Sequence, residues 1–276
     1  MPFCDLELAA RIERAEARLL LDACTSVARR LEGVFVEPVS GGVAACTEPG
    51  SPLNKVCGLG FAAAFDERAF EAIEREHARR GASVQVELAT LADPKIARWL
   101  TCRGYELVGV ENVLGRDLTG FTAPPAHGDV RIERSEPQAI DAWLDVVVTG
   151  FAVPDTQGVA AHQEFGREVL ERVIRDFAQA EHVVRYFATV DGRPAGGGTM
   201  RVFDGIAQLC GASTLPALRR RGVQSALLER RLADAARDGC RIAVVTTQPG
   251  SRSQQNVQRQ GFELLYSRNV LVREAR

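Results

Sequence analysis

The chain has 276 residues and a formal net charge of -2 at pH 7. This balance excludes a global positive field of the kind that holds nucleic acid or an anionic membrane surface. Hydrophobic residues make up 46% and charged residues 25%, which excludes a disordered chain and predicts one large or two smaller domains with packed cores.

The seven cysteines are odd in number and form no Cys-x-x-Cys pair, which favours reduced thiols in a cytoplasmic protein. No signal segment opens the sequence, and no apolar stretch is long enough to cross a bilayer, so we expect neither export nor membrane insertion. His162 and His182 stand apart from other ligand or triad residues, and no metal site is predicted.

The first half of the chain alternates helical and extended patterns. Helical spacing of apolar residues and caps at Asp66 and Gly81 predict helices, and short alternating runs predict strands. The predicted helices are 6–30, 66–80 and 93–102, and the predicted strands are 34–36, 43–46, 56–61, 84–88 and 105–114.

Residues 121–129 contain two prolines, a glycine and no apolar period, as in an interdomain linker. After this stretch, the second half again alternates helical and extended patterns. We therefore predict domains at 1–120 and 130–276. Strands are expected at 130–132, 183–190, 196–203, 206–213 and 241–247, and helices at 137–148, 165–177 and 222–238, before a final helix and strand.

The two halves also repeat in sequence. Residues 104–116 and 261–273 are identical at seven of thirteen positions, at a constant offset of 157. The matches include glycine, asparagine and arginine, so a duplicated domain explains them better than chance.

The most informative stretch is the loop between the strand 206–213 and the helix that follows it. A strand-loop-helix unit points the free N–H groups of the first helical turn into the loop, where they and the helix dipole favour an anion. Gly222 allows close backbone approach, and arginines add charge-assisted hydrogen bonds. The sequence therefore predicts a phosphate or diphosphate site. Its residues are Arg219, Arg220, Arg221, Gly222, Val223, Gln224 and Ser225.

Arg219-x-x-Gly222-x-Gln224 resembles the diphosphate loop of GCN5-related N-acetyltransferases (GNAT), although Gln224 replaces the usual small residue. The Ser253-x-x-Asn256 helix and the Gly261-Phe262 pair resemble later parts of the same fold. The resemblance implies an α/β (α+β) fold with two tandem GNAT-like domains, each a mixed, largely antiparallel sheet flanked by helices. It also implies acetyl-CoA (coenzyme A) as cosubstrate, whose pantetheine arm pairs with backbone at Ser213, Thr214 and Leu215.

In this family an amine attacks the thioester directly, a backbone amide stabilises the oxyanion and a tyrosine often protonates the leaving thiolate. By position that tyrosine corresponds to Val257, which cannot donate a proton. Asn256, Ser253 and Tyr266 are the polar alternatives, of which Asn256 and Tyr266 are the catalytic candidates and Asn256 is favoured as a cofactor contact. Asp155 and Glu164 are candidates for contact with a cationic amine.

The first half has no Arg-x-x-Gly loop at the corresponding place, 59–66, so we interpret it as a degenerate copy. The predicted function is transfer of an acetyl or short acyl group to a small-molecule amine or a peptide amine. A non-catalytic acyl-CoA-binding or regulatory protein is the alternative. Neither nucleic acid nor membrane is an expected partner, and the chain is expected to be a monomer with pseudo-dimeric halves or a homodimer.

Overall fold

A computed structural model of the chain describes residues 3–123, 128–153, 157–159 and 162–275. The helices are α1 (Leu6–Val27), α2 (Glu67–Arg79), α3 (Pro94–Cys102), α4 (Ile140–Phe151), α5 (Arg167–Ala178), α6 (Val223–Arg237) and α7 (Arg252–Arg259). The strands are β1 (Phe35–Val39), β2 (Gly42–Cys46), β3 (Lys55–Cys57), β4 (Val84–Ala89), β5 (Glu106–Asp117), β6 (Val130–Arg134), β7 (Val183–Val190), β8 (Arg193–Phe203), β9 (Ile206–Thr214), β10 (Ile242–Thr247) and β11 (Glu263–Arg273).

The chain forms two compact units. Among the described residues, the N-terminal unit contains 3–113, 162–180 and 265–275, and the C-terminal unit contains those of 114–159 and 181–264. These units differ from the contiguous segments 1–120 and 130–276 that the sequence suggests. The physical reason is strand pairing, because β11 lies beside β4 in antiparallel register, from Arg268 opposite Ala89 to Arg273 opposite Val84. Residues 124–127 of the predicted linker lie outside the described residues.

In the N-terminal unit the strand order is β1-β2-β3-β4-β11-β5. The pairs β1–β2, β2–β3 and β4–β11 are antiparallel, whereas β3 and β4 are parallel. Helix α1 buries one apolar face on this sheet because its apolar residues recur at helical spacing. Its core includes Leu20, Cys24 and Val27 of α1 together with Val43 and Cys57 of the sheet.

In the C-terminal unit the end of β5 is followed in order by β10, β9, β8, β7 and β6. The pairs β6–β7, β7–β8 and β8–β9 are antiparallel, and β9 and β10 are parallel. Helix α6 covers the sheet with Leu227 and Leu232, which are fully buried. Trp143 of α4 is buried as well and donates from Nε1 to the carbonyl of Tyr186 at 2.9 Å.

The repeat seen in the sequence recurs in the elements. Strand β5 begins at Glu106 and β11 at Glu263, which are 157 positions apart, and α2 has its counterpart in α6 at nearly the same offset. The predicted fold class is confirmed: both halves are mixed, largely antiparallel sheets flanked by helices.

Candidate functional site

The predicted anion loop lies between a strand and a helix. Strand β9 ends at Thr214, a 3-10 turn covers Pro216–Leu218, and α6 begins at Val223. Gly222 is the N-cap of α6 with φ 81° and ψ 0°, in the left-handed region that side chains other than glycine adopt only at a cost. A Cβ added to Gly222 would meet no atom within 4 Å, so this helix end faces open space.

The backbone amides just before and within the first turn of α6 have no hydrogen-bond acceptor among the described residues. Among the described residues, the backbone N–H groups of 220–225 donate to no protein atom, and the first bond of the helix runs from Ala226 N to Gly222 O at 2.9 Å. Unpaired N–H groups at the positive end of a helix dipole attract an anion. The turn therefore has the donors that a diphosphate requires.

Four of the other helices have an N-cap residue whose side chain accepts a backbone N–H of the first turn. Asp5, Asp66, Asp93 and Ser251 accept a backbone N–H at the start of α1, α2, α3 and α7. Helix α6 has no such bond, and its cap residue has no side chain with which to form one. Its N-terminus therefore stays available to an external acceptor.

The counterpart helix of the first repeat, α2, is closed by a carboxylate. Asp66 Oδ1 accepts from Ala69 N at 3.0 Å, and Asp66 N donates to Ser40 Oγ at 2.9 Å. A carboxylate at the positive end of α2 satisfies its donors and repels a second anion. This contact gives a physical reason for the expectation that the first repeat binds no diphosphate, which stays a prediction.

Arg219 serves the neighbouring helix. Its Nη2 donates to the carbonyl of Gly150 at 3.2 Å and also to that of Val153, at the C-terminal end of α4. A guanidinium at this end satisfies carbonyls that have no partner within the helix. The sequence predicts that Arg219 contacts the anion, whereas these bonds commit one edge of its guanidinium to α4.

Arg220 and Arg221 differ in their commitments. Arg221 Nη2 lies 3.1 Å from Asp191 Oδ2 in a pair whose side chains are both well exposed. Exposed pairs contribute little, so this one is easily exchanged for another anion. Arg220 is exposed with φ 64°, and it forms no ion pair with any residue that the structure describes.

Beside the loop, β9 and β10 separate. Their parallel pairing covers Ile206 opposite Ile242 to Gln208 opposite Val244, whereas the strands continue to Thr214 and Thr247. Beyond the paired segment, the backbone of each strand has no partner in the other. This arrangement matches the expected gap in which an extended arm pairs with the edge of β9.

The three backbone positions proposed for the pantetheine arm are not equally available. Leu215 N donates to Ala195 O at 2.9 Å, so this amide is already used. Ser213 is buried, and its hydroxyl donates to Val147 O at 3.0 Å, which leaves only its main chain for a ligand. The Thr214 hydroxyl is buried and has no partner among the described residues.

The remaining loop residues divide between core and surface. Val223 is buried among the apolar residues of the C-terminal unit and contributes only its amide. Gln224 and Ser225 are half-buried, and their side chains make no hydrogen bond to a described residue. Both side chains are free to contact an anion.

Asn256 and Val257 lie on α7 in the same unit. Asn256 is half-buried, and its amide has no hydrogen-bond partner within the described ranges. Val257 is buried in the apolar core beside Phe262, in agreement with its inability to serve as an acid. Asn256 is thus accessible for a polar contact, whereas Val257, at the position where the family often has a tyrosine, packs in the core.

Tyr266 lies in the other unit. Its hydroxyl donates to Glu13 Oε1 at 2.6 Å, and the residue is 5% exposed. Burial and the neighbouring Glu13 raise its pKa well above the ordinary value, which makes proton release harder. The structure places Tyr266 in a buried contact with Glu13 of α1.

The sequence reasoning did not single out Thr247, at the end of β10. Its side chain is 5% exposed, and its hydroxyl has no partner among the described residues. Its position at the end of one of the two separating strands is the signal that could have found it. Asp155 lies outside the described residues, and Glu164 is exposed.

The described residues contain no group of three or more histidine, cysteine, aspartate or glutamate side chains able to hold a metal ion. Of the helices described, none is both long and apolar enough to cross a bilayer.

Residues 124–246 match the family model described as Acetyltransferase (GNAT) domain. No curated protein sequence matches the chain.

Solved structures share the fold over nearly the whole chain. A GCN5-related N-acetyltransferase from Kribbella flavida is 17% identical with a TM-score of 0.64, over 93% of this chain and 94% of that one. A tandem GNAT protein from the clavulanic acid biosynthesis pathway is 14% identical with a TM-score of 0.61, over 92% and 88%. A GCN5-related N-acetyltransferase from Sphaerobacter thermophilus is 16% identical with a TM-score of 0.58, over 95% and 92%. These likenesses confirm the tandem GNAT-like fold.

Proposed function

We propose that this chain transfers an acetyl or other short acyl group from acetyl-CoA to an amine. It belongs to the GNAT family, whose domain model matches residues 124–246. The observation that carries the proposal is the open N-terminus of α6, where the amides of 220–225 have no acceptor among the described residues. Charge-assisted bonds from such amides to a diphosphate contribute about 1.5–3 kcal/mol each when well formed.

The residues of the loop divide the work of binding. The amides of 220–225 would hold the diphosphate, and Arg220 would add the guanidinium that lacks a protein ion pair among the described residues. Arg221 would exchange Asp191 for phosphate, since exposed pairs are weak. Arg219 would keep α4 in place beside the loop.

Acetyl-CoA would supply an activated acyl group at the gap between β9 and β10. There the main chain of Ser213 and Thr214 would bind the pantetheine arm. Leu215 would contribute only contact surface, because its amide already donates to Ala195 O. We assign Asn256 to cofactor contact and not to proton transfer, because an amide does not titrate. Tyr266, the other catalytic candidate, is assigned a structural role by its bond to Glu13.

The acceptor is proposed to be a small-molecule amine or a peptide amine. Direct attack requires the neutral amine, so its proton must leave to a base or to water. Coenzyme A release over a panel of both amine classes tests this step. The thiol product should be measured by chromatography, because Cys102 is an exposed thiol that reacts with thiol reagents.

Binding is tested by calorimetry with acetyl-CoA on Gly222→Glu, which places a carboxylate at the proposed diphosphate site. Gly239→Glu is the matched control, because Gly239 has φ 79° and an added Cβ would meet nothing within 4 Å. Both variants place a glutamate at a similar positive φ, 81° at Gly222 and 79° at Gly239, but at opposite ends of α6. We expect lost binding in Gly222→Glu alone, and equal affinity in the two variants would contradict the site.

A non-catalytic acyl-CoA-binding or regulatory role is the second candidate, and the apolar Val257 favours it. The two functions differ in one outcome. Tight acetyl-CoA binding without coenzyme A release for any amine of the panel would support the second candidate. Release that depends on one amine class would support the first.

A further inference from the structure

Arg231 is a buried arginine on α6 that lies under an irregularity of the sheet. It is 2% exposed, and its Nη1 donates to the carbonyls of Thr199 at 3.1 Å and Cys210 at 3.4 Å. Its Nε donates to Leu227 O within the helix at 3.1 Å. Among the described residues it has no carboxylate partner, which is rare for a buried charge.

The two carbonyls belong to facing strands at a β-bulge. The register of β8 and β9 shifts between Gly197, opposite Ser213, and Thr199, opposite Cys210. One residue of β8, Gly198, therefore lies opposite two residues of β9, 211 and 212. A bulge interrupts the ladder and leaves backbone groups unpaired. Thr199 and Cys210 are the facing pair on one side of this interruption, and the guanidinium donates to the carbonyls of both. The Cys210 carbonyl also accepts from Thr199 Oγ1 at 3.0 Å.

The bulge lies in the segment of β9 that has separated from β10. Parallel pairing with β10 stops at Gln208, and the bulge follows at 211–212. Gly211 has φ 41°, so the main chain turns here out of the extended conformation. Arg231 thus contacts the open edge of β9 directly beside the place where its ladder with β8 is interrupted.

We infer that Arg231 is a positioning residue for the acyl end of the site, where it holds the bulge at 211–212 in one conformation. The inference rests on the proposed function for its catalytic meaning. Helix α6 then performs two tasks: its first turn faces the diphosphate, and its third turn supports the strand beside the thioester. Burial lowers the pKa of Arg231 to about 10, which leaves the guanidinium charged at neutral pH.

The test compares Arg231→Lys with Arg230→Met. Lysine keeps the charge and loses the planar fork of donors. Arg230 is the matched control, because it lies on the same helix and donates to Asp234 at 3.2 Å and to Ile132 O at 2.7 Å, away from the bulge. A general loss of stability affects both variants, whereas loss of the bulge conformation affects only one.

For Arg231→Lys we expect a kcat about tenfold to a hundredfold lower, with an acetyl-CoA affinity within about threefold of wild type, since the diphosphate loop is intact. For Arg230→Met we expect a lower melting temperature and an unchanged kcat. An unchanged kcat in Arg231→Lys, or equal losses of kcat in both variants, would overturn the inference.

A second readout needs no turnover. Amide hydrogen exchange, followed by mass spectrometry on the full chain, should be about tenfold faster at 210–213 in Arg231→Lys and unchanged at 220–225. If wild type releases no coenzyme A, the proposed function fails while the exchange result still decides the role of Arg231. Unchanged exchange at 210–213 would overturn it.

Discussion

Arg268 Nε donates to Glu13 Oε1 at 2.7 Å, across 255 positions of the sequence. The two side chains are 2% and 1% exposed, and the Tyr266 hydroxyl donates to the same oxygen. Because both partners lie in the N-terminal unit, this pair fastens the last strand of the chain to its first helix. Glu13 is the nearer of two carboxylates beside Arg268, since Glu16 Oε2 lies 3.7 Å from its Nη1, and the buried guanidinium needs this compensation.

Glu13→Gln is therefore expected to lower the free energy of unfolding by about 3 kcal/mol, because it leaves Arg268 buried without its nearest carboxylate. Urea unfolding followed by circular dichroism measures this change. Glu32→Gln is the control, since Glu32 is exposed, and we expect it to differ from wild type by less than about 0.5 kcal/mol. A loss of similar size in both variants would contradict the buried pair.

Glu111 gives the N-terminal unit a dependence on pH. Burial, followed by the charge of Glu87, raises the pKa of Glu111 to about 7 from its ordinary value of 4.5. The folded chain therefore keeps a proton that the unfolded chain loses between these values, and stability falls as pH rises through this window. The free energy of unfolding is lowered by about 3 kcal/mol through this group, and the loss is nearly complete above pH 7.

Glu111→Gln is expected to behave like wild type near pH 4.5 and to be more stable than wild type at pH 8, because the neutral amide replaces a carboxylate that is half-buried beside Glu87. Melting temperatures between pH 4.5 and 8 measure the difference. Glu106→Gln on the same strand is exposed and should follow wild type at every pH. Parallel pH profiles for Glu111→Gln and wild type would be inconsistent with the shift.

Asp66 caps the N-terminus of α2, whereas α6 has no side-chain cap. Asp66→Ala removes the cap of α2 and is expected to lower the free energy of unfolding by about 1 kcal/mol. Acetyl-CoA affinity and a stoichiometry of one per chain should be unchanged, because the proposed site is on α6. Isothermal calorimetry would expose an error if Asp66→Ala weakened binding or if wild type bound two molecules.

The loop arginines should rank by their commitments within the protein. Arg220→Gln is expected to weaken acetyl-CoA binding by about tenfold, because its guanidinium lacks a protein ion pair among the described residues. Arg221→Gln should cost less, since wild type must first give up Asp191. Titrations at low and high salt test the ranking, and the reverse order would refute it.

Local patterns sufficed to predict element types. Leu19, Leu20, Ala23 and Val27 recur at helical spacing, and α1 buries this face; the loop before Gly222 likewise joins a strand and a helix as predicted. These features depend on residues close in sequence, so a single sequence carries them.

Partner choice could not be predicted in the same way. Strand β11 of the second repeat pairs with β4 of the first, with Arg268 opposite Ala89, 179 positions away, and nothing in the alternation of β11 specifies that neighbour. Arg219 and Arg221 looked alike in the sequence, yet their partners, Gly150 and Asp191, come from distant segments. We expected contiguous domains because the sequence does not reveal which distant strands pair with each other.

Arg231 was missed because an arginine in a helix usually belongs to the solvated face. Its signal was present in the spacing, since Arg231 lies four residues after Leu227 and four before Ala235, and both of these are fully buried. A charged residue on an apolar stripe indicates a buried polar contact.

A crystal structure of the chain with acetyl-CoA would show whether the opening turn of α6 binds the diphosphate of this cosubstrate. We expect diphosphate oxygens about 3 Å from the amide nitrogens of 220–225. Density for the diphosphate at another place, or a first turn of α6 that stays bare at saturating acetyl-CoA, would contradict it.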